Sequence, residues 1–153
     1  MESPIKNTSG KRPGRYAREK LESVTKKTEE DLLIIEALEK DGTDAALDFL
    51  DYWQRAKRAW DEAVDLLKLV MSGETPVSNE VIDDCRKACL CLSQILHVLL
   101  ELRESSSGSR TTKSVMTTIT RRAYDDRQEA RKSLDTLTLW QREAGLVSRR
   151  DIE

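Results

Sequence analysis

An unbroken seam of apolar residues between positions 46 and 70 constrains this chain more than any other feature. Ala46, Phe49, Trp53, Ala56, Trp60, Ala63, Leu67 and Val70 follow one another at alternating steps of three and four. That spacing puts every member on one stripe of an α-helix. A strand, whose side chains alternate with period two, cannot hold them on one face. Sustained over this length, the stripe reads as the seam of a helix packed against other helices. Large and small residues alternate along it, so Ala56 and Ala63 leave room for bulky neighbours. Thr43 or Asp44 is placed to cap the start. Ser72-Gly73, followed by Pro76, is placed to end it.

The rest of the chain agrees with helix. Among 153 residues there are only six Gly and three Pro, 5% are aromatic and 35% are charged. A first helix is predicted over Tyr16–Lys40, with apolar or small residues at Ala17, Leu21, Val24, Thr28, Ile35 and Leu38 and a gap at Asp31. Asp41-Gly42 stops it, because glycine accepts the left-handed conformation at a helix end. A third helix follows Ser78 or Asn79. Its stripe is Val81, Cys85, Ala88, Leu92, Ile95, Leu99 and Leu102, with a second at Ile82, Cys89 and Leu96. Residues 105–109, Ser-Ser-Ser-Gly-Ser, read as a flexible connector. A fourth helix runs from about Thr111 to Ala144 on Met116, Ile119, Ala123, Ala130, Leu134, Leu137 and Trp140 or Gln141, interrupted by Asp126. If Asp126 is buried, Arg122 or Arg127 is its expected partner.

Short connections favour antiparallel neighbours. The expected fold is therefore all-α: an antiparallel four-helix bundle over residues 16–144. It is flanked by a disordered basic tail over 1–15 and a frayed C-terminus over 145–153. The tail holds Lys11, Arg12 and Arg15 in the run Lys-Arg-Pro-Gly-Arg. Such a run serves as a solvated leader or as a nuclear-import or phosphate-binding patch. No apolar stretch follows the basic start, so no secretory signal is expected. No apolar run reaches the roughly 18 residues of a membrane span. Three Cys on such a chain suggest free thiols in a reducing compartment.

The apolar content exceeds what one stripe per helix requires. Leu32, Leu33, Ile34 and Ile35 are consecutive, and Leu90, Cys91, Val98 and Leu100 lie partly off the stripe of the third helix. Three arrangements accommodate this excess: an uneven, thicker core, self-association into a dimer, or a groove for a partner helix. Leu32, Leu33, Ile34, Leu90, Val98 and Leu100 are the candidate oligomer or partner surface.

Catalytic chemistry finds little support. Triad and zinc-protease schemes need a histidine beside a second positioned group, and His97 is the one histidine. It is expected to be a hydrogen-bonded structural residue. Cys85 and Cys89 share a helical face, but Cys91 points nearly opposite Cys89, so the three with His97 do not converge on one metal ion. The runs Glu29-Glu30-Asp31, Asp83-Asp84 and Asp125-Asp126 have diverging members and read as solvated faces. No enzyme, cofactor or metal site is expected. Net charge is −2, so no global attraction to nucleic acid follows. RNA binding would need the tail residues Lys11, Arg12 and Arg15 together with Arg121 and Arg122 of the fourth helix, where acidic residues interleave. Trp53 and Trp60 sit on the seam and are core residues before they are stacking platforms.

The segment from Leu50 to Ser105 resembles the C accessory proteins of paramyxoviruses. A leucine- and charge-rich helix ends in Leu67-Lys68-Leu69, and an apolar helix closes on Leu102-Arg103-Glu104-Ser105, behind a basic N-terminus. The resemblance implies a non-enzymatic accessory protein of an infected cell, in the host cytoplasm and also the nucleus. It implies partners in the viral polymerase complex and among host interferon-pathway or trafficking factors. Regulation of viral RNA synthesis and antagonism of interferon responses would follow from binding. Two other functions suit the residues: a helical double-stranded-RNA-binding silencing suppressor, and a cellular scaffold or adaptor.

Overall fold

The computed structural model describes residues 28–73 and 76–152, with side chains as far as Ala144. These residues form four helices: α1 (Glu29–Asp41), α2 (Asp44–Met71), α3 (Asn79–Ser105) and α4 (Arg110–Ile152). The fold is the expected all-α bundle, with no strand among the described residues. The tail with Lys11, Arg12 and Arg15, and residues 16–27 of the predicted first helix, lie outside the described residues.

The seam of α2 packs as its spacing requires. All eight of its members are buried, from Val70 at 0% exposed to Ala56 at 9%. Thr43 is the cap, its Oγ1 accepting from the Ala46 N–H at 3.3 Å. Ser78 caps α3 in the same way, through the Val81 N–H at 3.2 Å. Gly42 ends α1 in the left-handed conformation at φ 66°, and its N–H donates to the Leu38 carbonyl.

Three boundaries differ from expectation. Thr28 was placed on the stripe of a longer helix, yet it is extended and serves as the N-cap of α1. The reason is a capping box: Thr28 Oγ1 accepts from Asp31 N–H at 3.0 Å, and Asp31 Oδ2 accepts from Thr28 N–H at 3.3 Å. The Ser105–Ser109 connector is packed at one point, with Ser106 3% exposed while Ser105, Ser107 and Ser109 face solvent. Its Ser109 caps α4, the hydroxyl oxygen accepting from Thr112 N–H at 3.1 Å. Finally, the 145–153 segment expected to fray is helical as far as Ile152. One isolated Gly in a helix costs only about 1 kcal/mol, which does not by itself force an end at Gly145.

The packing divides into two units. The described residues of Met1–Arg58 and His97–Arg122 form the first, and those of Ala59–Leu96 and Ala123–Glu153 the second. In the first, Ile35, Leu38, Phe49, Trp53, Leu99 and Met116 are at most 1% exposed. Here α1 and α4 are antiparallel, because Asp41 meets Thr112 and Asp31 meets Arg122. In the second unit Trp60, Leu67, Ile82, Leu92 and Leu137 fill the core. Cys89 contacts Ala130 and Asn79 contacts Gln141, so α3 and α4 are antiparallel.

Candidate interaction surface

The histidine lies at the surface and the thiols are buried or half-buried. His97 faces solvent and pairs with Glu101 one helical turn on, at 3.1 Å. It is a surface residue, not the structural histidine expected in an apolar helix. Burial pushes the thiols of Cys85, Cys89 and Cys91 above their ordinary range. Thiols held protonated in this way are poor nucleophiles and poor metal ligands. Cys89 also donates to the Ala130 carbonyl at 3.3 Å. Among the described residues no group of His, Cys, Asp and Glu is arranged to hold a metal ion.

Two acidic residues that interrupt the helical stripes turn out to be cross-helix anchors. Asp31 belonged to a run read as solvated, but it is only 3% exposed. Its Oδ1 accepts from Arg122 at 2.6 Å, while its Oδ2 completes the capping box. Arg122 also reaches Glu30. Burial works against the Arg122 charge, but the hydrogen bonds to Asp31 and Glu30 outweigh it and hold the guanidinium above its ordinary pKa. Asp126 is half-buried and its partner is not an arginine. The Trp60 indole N–H donates to its Oδ2 at 2.7 Å. An arginine was expected because a buried carboxylate requires donors; an indole on the opposite seam meets the same requirement.

The candidate partner residues separate. Leu33 and Leu90 are the most exposed, at 65% and 68%. Leu32, Val98 and Leu100 are half-buried. Ile34 is 3% exposed and belongs to the core of the first unit, so it is withdrawn from the surface. Its place at α1, one residue before fully buried Ile35, turns it inward. The second stripe of α3 is core, since Ile82, Cys89 and Leu96 are buried together with Cys85, Leu92 and Leu99. Of the basic patch, Arg121 is exposed. Arg122 is committed to α1 and cannot serve a phosphate without giving up Asp31.

Four outward residues escaped the sequence reading: Leu69, Tyr124, Leu139 and Trp140, between 43% and 48% exposed. Trp140 and Gln141 were alternatives on the stripe of α4; Trp140 is exposed, and Gln141 is half-buried and meets exposed Asn79. Both positions satisfied the spacing, so periodicity alone could not choose between them.

The second unit also contains a groove of about 420 Å³ between α2 and α4. Val64, Leu67 and Met71 line it from α2 and Asp126, Glu129 and Ala130 from α4; Leu67 and Ala130, the buried members, make its floor.

No family model, curated protein or solved structure matches the chain.

Proposed function

We propose that this protein acts by binding macromolecules and not by catalysis. Its specific role, on this reading, is that of the accessory proteins its Leu50–Ser105 segment resembles. It would engage viral polymerase components and host factors in the host cytoplasm and nucleus, regulating viral RNA synthesis and countering interferon responses.

The observation that carries the binding reading is the outward pair Leu139 and Trp140, 48% and 43% exposed. Single exposed leucines are ordinary on soluble proteins. A tryptophan beside a leucine on a helix is different, because tryptophan is enriched among the residues that dominate interface energetics. Solvent-facing His97 and the buried, protonated thiols support the non-catalytic half. Protein partners are favoured over RNA because Arg122, a member of the basic patch, is held by Asp31 and Glu30.

Affinity purification of the tagged chain from infected cells, with and without nuclease, tests this. Recovery of polymerase-complex or interferon-pathway proteins that survives nuclease is expected. Capture that vanishes with nuclease, together with tight binding to bare double-stranded RNA, would replace the reading with the RNA-binding one.

A further inference from the structure

We propose that the groove of the second unit binds about two turns of an amphipathic helix from a separate protein, with a Lys or Arg of that helix paired to Asp126. The inference rests on the protein being a binder, but not on Leu139 and Trp140.

The shape favours a helix. Val64, Leu67 and Met71 recur on α2 at steps of three and four, and Asp126, Ala130 and Ser133 do so on α4. Two helical faces with that spacing present ridges between which a third helix packs. From Val64 to Met71 the groove extends about 10 Å along α2, or two helical turns. The floor residues Leu67 and Ala130 are 4% and 2% exposed, and the small Ala130 leaves depth for an incoming side chain.

The charge selects the partner. The ionisable groups lining the groove are Asp126, Glu129 and Lys68, with a net negative balance. Asp126 is half-buried, and among the described residues the Trp60 indole, on Oδ2, is its one hydrogen-bond partner. Its other oxygen is therefore open to a donor. A carboxylate fixed on one side and set among apolar atoms attracts a cation more strongly than a fully solvated one. It repels acidic and phosphorylated ligands. An apolar helix with one basic residue on its contact face satisfies both the floor and Asp126.

The test uses the full chain and a fluorescent 14-residue helical peptide of Leu, Ala and Gln, with Leu at steps of three and four and one Arg on that face. The Arg peptide is expected to bind by anisotropy. Replacing its Arg with Gln, or introducing Asp126→Asn in the protein, is expected to weaken binding about tenfold or more. Asp126→Asn keeps an acceptor for Trp60, so its fold is retained and checked by thermal melting. Met71→Glu is expected to abolish binding, and Trp140→Gln to leave it unchanged, which separates this site from the Leu139 and Trp140 surface. Equal affinity of the Arg and Gln peptides, an Asp126→Asn chain that binds as well as the parent, or no binding at millimolar peptide would overturn the proposal. So would a cross-link, within one free chain, from Lys68 to a lysine of residues 1–27, since this chain's own segment would then occupy the groove.

Discussion

The Trp60 indole donates to the Asp126 carboxylate at 2.7 Å, joining positions 66 apart in the chain. Trp60 is 3% exposed, so its N–H has no ready access to water. Removing the acceptor takes this hydrogen bond from a buried donor. Asp126→Ala is expected to cost about 1–3 kcal/mol in guanidinium unfolding. Asp126→Asn, which still accepts, should cost less. A double-mutant cycle with Trp60→Phe should show coupling, and strict additivity would deny the interaction any energetic weight.

Arg122 and Asp31 make the second long-range anchor. Asp31 is 3% exposed, so Arg122→Ala leaves a carboxylate in the core without its cation. A loss of about 1.5–3 kcal/mol is expected, moderated because Arg122 retains partial exposure. Arg122→Lys restores charge but not the two-pronged contact with Asp31 and Glu30, and should recover only part of it. Glu30→Gln, at the exposed end, should cost about 0–1 kcal/mol.

Acid sensitivity is expected at Asp41. The Thr112 hydroxyl, followed by Thr43, donates to its carboxylate and lowers its pKa from the ordinary 3.8. A carboxyl with a lower pKa in the folded state contributes its full stabilisation above its unfolded pKa. That contribution fades as pH falls through the folded value. Stability should therefore drop below about pH 4, and Asp41→Asn should flatten that part of the profile. Chemical denaturation between pH 2 and 6 would show it; parallel profiles for the two proteins would contradict it.

Gly108 stands against the same cluster. A Cβ there would lie 3.1 Å from Asp41 Oδ2 and 3.3 Å from both Ser106 Oγ and Thr112 Cγ2. These side chains are held by hydrogen bonds and have little freedom to yield. Gly108→Ala should destabilise by about 1–3 kcal/mol, whereas a freely moving connector would tolerate it.

Much of this fold was legible because burial follows helical periodicity. The α2 seam required nothing beyond its steps of three and four, and the two stripes of α3 went into the core together except at their ends, where Val81 and Leu102 are half-buried. Polar anchors were harder. Asp31 and Asp126 appeared as breaks in a pattern, since a sequence shows that a carboxylate sits on an apolar stripe but not which distant donor meets it. Thr28 fitted the helical spacing and the capping motif equally well, and its hydrogen bonds with Asp31 decided for the cap. Ile34 and Leu33 are neighbours in one apolar run, and only the phase of α1 separates the buried residue from the exposed one. Trp140 and Gln141 posed the same ambiguity at the far end of α4.

Leu33 and Leu90 remain the candidates for self-association, at 65% and 68% exposed. Sedimentation at tens of micromolar is expected to show a species larger than monomer, reduced by Leu33→Glu or Leu90→Glu. A monomer alone at that concentration would rule out both residues as self-association sites.

The most direct test of binding without catalysis is a paired measurement on the Leu139→Glu/Trp140→Gln variant: thermal melting, and partner recovery by affinity purification from infected cells. Both side chains are outward, so the melting temperature should stay within a degree or two of the parent, because surface substitutions usually change stability by less than about 0.5 kcal/mol. Partner recovery should fall sharply. A stable variant that recovers the same proteins in the same amounts would contradict the claim that this surface is where the protein works.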